Sequence, residues 1–262
     1  MPNRPLSDVS RSTVYTTQYP YTGSAVMLPL RPSKNYTVDV LIVGGQDVNA
    51  NRNLSISACS ESIRIRVTPT NGTWQQGGAY SFDGWEQEFM GSPRVMPDAT
   101  LLPNGKVVML NGAQIGLAGD SASGGDSRAN YPNFFAELYE PDAPLGSRWS
   151  TLARSQIARM YHSTAGLTTN GTILVAGCDR CFRMVSNLPF SPPPKKAEYR
   201  NEIFYPPYFY ATDKPAIVSW PARITYNQEF QVTFTGNVRM QVTCVHKAAR
   251  CDTLVGQMVV KP

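Results

Sequence analysis

One phrase recurs along the chain and limits what it can fold into. PRVMPDATLLPNGKVVMLNG (93–112) and ARMYHSTAGLTTNGTILVAG (158–177) each begin with an arginine-led strand, turn at Asn-Gly, and return on an apolar strand that ends at glycine. TGSAVMLPLRPSKNYTVDVLIVGG (22–45) carries the same two strands around a longer connection. Asn-Gly between apolar runs predicts a β-hairpin with a type I′ turn, both turn residues at positive φ. The closing glycines Gly45, Gly112 and Gly177 lie 67 and 65 residues apart. A propeller blade takes roughly 40–50 residues, so insertions between hairpins are expected to fill the excess.

The stretches between hairpins support an all-β reading. Trp85 and Trp149 stand just before the next repeat begins, where the outer strand of a blade packs on its neighbour. AGDSASGGDSR (118–128) is too rich in Gly and Ser to pack and is expected to be an exposed insertion loop, and SPPPKK (191–196) a stiff surface turn. With 20 Gly and 21 Pro among 262 residues, and 42% hydrophobic against 16% charged, the composition favours many turns over long helices. After about residue 213, KPAIVSWPARITYNQEFQVTFTG alternates apolar and polar residues as the strands of a β-sandwich do. About fifty residues remain there, half of what a seven-stranded sandwich takes.

Charge and cysteine usage exclude some functions. The net charge is +5, but the 24 Lys and Arg are scattered and form no run that would track phosphates, so nucleic acid is not an expected partner. MPNRPLSDVS has no apolar core of a signal peptide, and no run of 18 apolar residues would span a membrane. Sequons at Asn35, Asn53, Asn71 and Asn170 and five cysteines point to a secreted glycoprotein whose leader is not in this chain. The C-x2-C of GCDRC (177–181) suits a zinc knuckle or a local disulfide; with Cys244 and Cys251 seven apart, the disulfide or free thiols are preferred and zinc is not expected.

Within the third phrase, RMYHS (159–163) sets Tyr161 beside His162, one of two histidines in the chain. Consecutive side chains on a regular strand point to opposite faces, so the two share a target only where the backbone is irregular. The alternative is a core tyrosine beside a surface histidine.

Taken in order, YPYTGSAVMLPL, PRVMPDATLLPNGKVVMLNGA, LYEPDAPLGSRWSTLA, ARMYHSTAGL and NEIFYPPYF resemble the glyoxal oxidase branch of the copper radical oxidases, relatives of galactose oxidase, from about residue 19 to about residue 232. The resemblance implies a partial kelch-type β-propeller over 1–212 and the start of an immunoglobulin-like β-sandwich over 213–262. About four of the family's seven blades are expected. It further implies one copper ion with Tyr161 as axial phenolate and general base and His162 as equatorial imidazole. The implied reaction is oxidation of small aldehydes or primary alcohols outside the cell, with O2 reduced to H2O2.

The family's radical tyrosine, cross-linked to a cysteine, lies in blades that precede the matched region, so this chain alone is expected to be inactive. Cys59 is read as a structural thiol whose usual disulfide partner is replaced by Val43. The last copper ligand of the family is a histidine shortly before a Gly-Gln pair. Here His246 is too distant from Gly256-Gln257, and Cys251 stands nearer that place. The competing reading is a non-catalytic extracellular propeller that binds polysaccharide or a protein partner.

Overall fold

The computed structural model describes residues 6–7, 14–31, 34, 36–72, 76–120, 127–178, 197–212, 214–223, 225, 230–235, 251–254 and 257–260. Every sheet in them is antiparallel. The chain divides into two units, one of residues 1–29 and 38–206, the other of residues 30–37 and 207–262.

Three meandering sheets recur along the first unit. Sheet one runs Gly23–Met27, Val38–Gly44, Glu61–Pro69 and Tyr80–Phe89. Sheet two repeats the order with Asp98–Leu101, Val107–Leu110, Phe135–Tyr139 and Trp149–Arg154. Sheet three has Thr164–Leu167, Ile173–Ala176 and Glu202–Phe204. Such up-and-down sheets are the topology of propeller blades. Among the described residues two of these sheets have four strands and the third has three, and Leu6–Ser7, Val14–Thr16 and Gln46–Asp47 form a further three-stranded sheet in the same unit. The repeat is long because each unit inserts chain between its second and third strands, including a 3-10 turn at Val48–Asn51 and a second hairpin at Ala113–Asp120 and Ser127–Pro132.

Alternation along the second strands explains the stacking. In Val38–Gly44 the buried positions are Asp39, Leu41 and Val43, followed by Gly44 at the strand end. Leu41 and Val43 pack on Val107, Met109 and Tyr139 of sheet two, joined by Trp149. Val107–Leu110 is buried at all four positions, as a strand covered on both faces must be. Trp149 sits on the outer strand as expected, its indole Nε1 donating across to Ser62 Oγ of sheet one at 2.8 Å. The first strands of the sheets lie side by side: the Ala99 amide donates to Ser24 Oγ at 3.3 Å, and Thr100 Oγ1 donates to the Ala165 carbonyl at 3.4 Å.

Three local expectations are corrected. The Asn-Gly hairpins are not type I′: only Gly105 (φ 80) and Gly171 (φ 84) are at positive φ, while Asn104 and Asn170 are not. The Leu102 amide donates to the Lys106 carbonyl at 2.8 Å, and the Thr168 amide to the Thr172 carbonyl at 2.8 Å. Three residues are thus enclosed, the type I turn with a left-handed third residue. Each asparagine instead accepts from the amide two residues on, Asn104 Oδ1 from Lys106 at 3.2 Å and Asn170 Oδ1 from Thr172 at 3.1 Å.

Next, 118–128 is not simply an exposed loop. Its ends belong to the inserted hairpin, with Ala118 and Ser127 buried, because small side chains let Ala113, Ala118 and Ala129 pack into one cluster. Finally, Gly177 is out of step with Gly45 and Gly112. The carbonyls of Gly45 and Gly112 accept from the amides of Cys59 (2.9 Å) and Asn133 (2.8 Å), whereas in the third repeat Cys178 accepts from Glu198 (2.7 Å). Residue 178 therefore takes the glycine's place. SPPPKK lies outside the described residues.

The second unit contains one four-stranded sheet, ordered Ala216–Ser219, Phe230–Thr235, Gln257–Val260 and Cys251–Leu254, preceded by a 3-10 turn at Pro207–Tyr210.

Candidate site at Tyr161 and His162

Arg159 anchors the start of the RMYHS segment. Its guanidinium is buried and donates from Nε to Glu202 Oε2 at 2.8 Å, from Nη2 to the Arg200 carbonyl at 2.7 Å, and from Nη1 to the Gly177 carbonyl. Its own carbonyl accepts from the Gly112 amide of the preceding repeat at 2.9 Å. Arg94 is built the same way one repeat earlier. It donates to the carbonyls of Asn111 (2.8 Å) and Phe135 (2.5 Å), lies 3.5 Å from Glu137 Oε1, and accepts at its carbonyl from Gly45 at 2.9 Å. Each arginine has its glutamate 43 residues downstream on the third strand of its sheet. That spacing was visible in the sequence but only as one coincidence among many, and the glutamates were missed.

Beyond Arg159 the chain turns. Met160 is buried, with its amide 3.5 Å from Cys178 Sγ, and the Ser163 amide donates to the Met160 carbonyl at 3.1 Å. His162 is left-handed at φ 63. This is the irregular backbone that adjacency demanded. The rings of Tyr161 and His162 stack with centroids 3.7 Å apart and planes 29° apart, instead of facing opposite ways. Tyr161 is half-buried against the cluster of Val95, Met96, Ala113 and Met160, while His162 is exposed. Ser163 Oγ, beside them, is buried and has no hydrogen-bond partner among the described residues.

On the other side of the pair, the Ala165 amide donates to the Asp98 carboxylate, which also accepts from Asn111 Nδ2 at 2.8 Å. Burial pushes the Asp98 carboxyl up to about 6, against the lowering effect of those two bonds. Sequence reasoning passed over Asp98.

The remaining cysteine and histidine expectations divide. Cys178 is disulfide-bonded, and a disulfide sulfur cannot serve zinc as a thiolate; Cys181, the other cysteine of GCDRC, lies outside the described residues. Cys59 is a buried free thiol whose pKa burial pushes up to about 12. His246 lies outside the described residues, and of Cys251 only the backbone is described. Among the described residues no three His, Cys, Asp or Glu side chains converge on a metal position. Tyr161 and His162 nonetheless offer a phenol oxygen and an imidazole nitrogen from one turn, the N,O donor chemistry that suits Cu(II).

Residues 7–208 match the family described as glyoxal oxidase N-terminus. The chain belongs to the glyoxal oxidase family. It is 34% identical over 220 residues to a protein of Vitis pseudoreticulata named aldehyde oxidase GLOX, covering 82% of this chain and 38% of that protein. It is 33% identical over 228 residues to an aldehyde oxidase of Arabidopsis thaliana, covering 82% of this chain and 34% of that protein. The chain thus spans little more than a third of the length of these glyoxal oxidase relatives. A solved structure titled as a novel fungal alcohol oxidase of the AA5 family in complex with copper superposes with a TM-score of 0.58 at 17% identity, over 95% of this chain and 49% of that one. That likeness bears on the fold alone, an all-β arrangement of antiparallel sheets consistent with a β-propeller.

Proposed function

We propose that this chain is part of an extracellular copper radical oxidase acting on small aldehydes or primary alcohols, with a kelch-type propeller leading into an immunoglobulin-like sandwich. The observation that carries the reading is the stacked Tyr161–His162 pair on its left-handed turn, within a glyoxal oxidase match.

Tyr161 Oη and His162 would supply two ligands to one copper ion, a phenolate oxygen and an imidazole nitrogen. Bound copper would supply one of the two one-electron steps by which an alcohol or aldehyde hydrate loses two electrons and two protons to O2, giving H2O2; the tyrosine–cysteine cofactor of the family would supply the other. Tyr161 Oη acts as general base for the substrate hydroxyl proton. Packing of Tyr161 against the buried cluster that includes Met96, Ala113 and Met160 shields part of the side chain from water and limits its motion. Exposure of Asn53, Asn71 and Asn170 on turns suits N-glycosylation and hence secretion.

The resemblance places the cross-linked tyrosine–cysteine cofactor outside this chain, so residues 1–262 alone complete no redox cycle. A peroxide assay with copper, a small aldehyde and a primary alcohol tests this. We expect no turnover; sustained copper-dependent H2O2 formation by these residues overturns it. Glycan binding without copper uptake would favour the non-catalytic propeller instead.

A further inference from the structure

We infer that Asp98 and Thr100 are positioning residues for the copper ligands, gripping the segment that carries Tyr161 and His162 from the neighbouring sheet. The inference rests on the copper reading above. Both polar groups of one peptide residue, Ala165, are held across the sheet boundary. Its amide donates to the Asp98 carboxylate, and its carbonyl accepts from Thr100 Oγ1 at 3.4 Å. Asp98 and Thr100 stand two apart on the strand Asp98–Leu101, so their side chains leave the same face and meet one residue together.

Asp98 is itself fixed. Asn111 Nδ2 donates to its Oδ2 at 2.8 Å, and the Asn111 carbonyl accepts from the buried Arg94 guanidinium at 2.8 Å. Ala165 follows His162 by three residues. At the other end of the segment Arg159 is held by the Gly112 amide and by Glu202. Tyr161 and His162 thus lie on a short bridge clamped at both ends, with the left-handed turn at His162 in its middle. Asp98 and Thr100 both meet the segment at the Ala165 backbone, and each acts on the ligands through it. A turn held at only one end leaves the two rings free to separate, and a metal that needs both donors at once binds more weakly.

The test compares Asp98→Ala, Asp98→Asn and Thr100→Val in the full 262-residue chain. Three properties are read: Cu(II) affinity by competition with a chelating dye, the Cu(II) electron paramagnetic resonance (EPR) spectrum, and hydrogen exchange of the Ala165 amide without metal. Outer partners of metal ligands commonly contribute about 10–100-fold in affinity. Asp98→Ala is expected to weaken Cu(II) binding by about tenfold or more, to change the EPR parameters, and to speed Ala165 exchange. Asp98→Asn keeps one acceptor oxygen and should recover most of the affinity, and Thr100→Val should give a smaller loss. Thermal unfolding of each variant separates lost folding from lost positioning, because a folded Asp98→Ala chain with unchanged affinity and spectrum overturns the inference. If the wild-type chain takes up no copper, it is the copper reading that fails. Faster Ala165 exchange in Asp98→Ala would then still show the clamp.

Discussion

Arg159 Nε donates to Glu202 Oε2 at 2.8 Å, tying the start of the RMYHS segment to the third strand of its own sheet. Arg159 is buried, and its remaining donors serve two backbone carbonyls, Gly177 and Arg200. Removing one member of a buried ion pair typically costs about 3–5 kcal/mol, because the other is left unpaired. Arg159→Ala is therefore expected to destabilise the first unit by an amount near the lower end, since Glu202 is partly exposed. Urea denaturation checks this, and a loss below about 1 kcal/mol contradicts it.

Gly112 and Gly146 are both left-handed, at φ 93 and φ 86. A methyl added at Gly112 would meet the Val95 carbonyl oxygen at 2.7 Å, whereas one at Gly146 would meet nothing within 4 Å. Gly146→Ala should cost only the backbone preference, about 1–2 kcal/mol. Gly112→Ala must also move the Val95 backbone and should cost clearly more. Thermal melts of the two variants rank them, and equal losses would mean that the approach at Gly112 is not tight.

Asp98 predicts a pH dependence. Its folded pKa of about 6 lies above the ordinary aspartate value of 3.8. The folded state thus holds the proton over a range where the unfolded chain has released it. The stability this contributes is complete below about pH 4 and is lost as pH rises through about 6. At about 1.4 kcal/mol per unit the whole effect is roughly 3 kcal/mol. Asp98→Asn should remove this contribution, so the stability difference between pH 4.5 and pH 7 changes between wild type and variant. Identical pH profiles would contradict the shift.

Cys59 is free and fully buried, with burial raising its pKa to about 12. A thiolate is the reactive form, so Cys59 should resist iodoacetamide in the native state at pH 8 and react fully in urea. Mass spectrometry of the alkylated chain reads this directly. Native labelling at Cys59 would mean that this part of the fold opens readily.

The parts of the fold that local chemistry dictates were legible in the sequence. Apolar strands flanking Asn-Gly marked the hairpins, and Trp149 marked an outer strand. The turn type was not, because Asn-Gly serves both a two-residue and a three-residue loop. Strand register decides between them, and register is set by cross-strand partners such as Leu102 and Lys106. The shift from Gly177 to Cys178 was hidden for the same reason: it follows from where Glu198 pairs, twenty residues on. At the candidate site the Tyr161–His162 pair was visible as a pattern. Its support by Arg159, Glu202, Asp98 and Ala165 was not, because those partners come from other strands and from a neighbouring sheet.

The central claim is that Tyr161 and His162 bind copper together, and the most direct measurement is the EPR spectrum of the Cu(II)-loaded chain beside Tyr161→Phe and His162→Ala. Nitrogen hyperfine splitting from one imidazole is expected in wild type, absent in His162→Ala, with altered parameters in Tyr161→Phe. A wild-type spectrum that neither substitution changes would place the copper elsewhere and contradict the account.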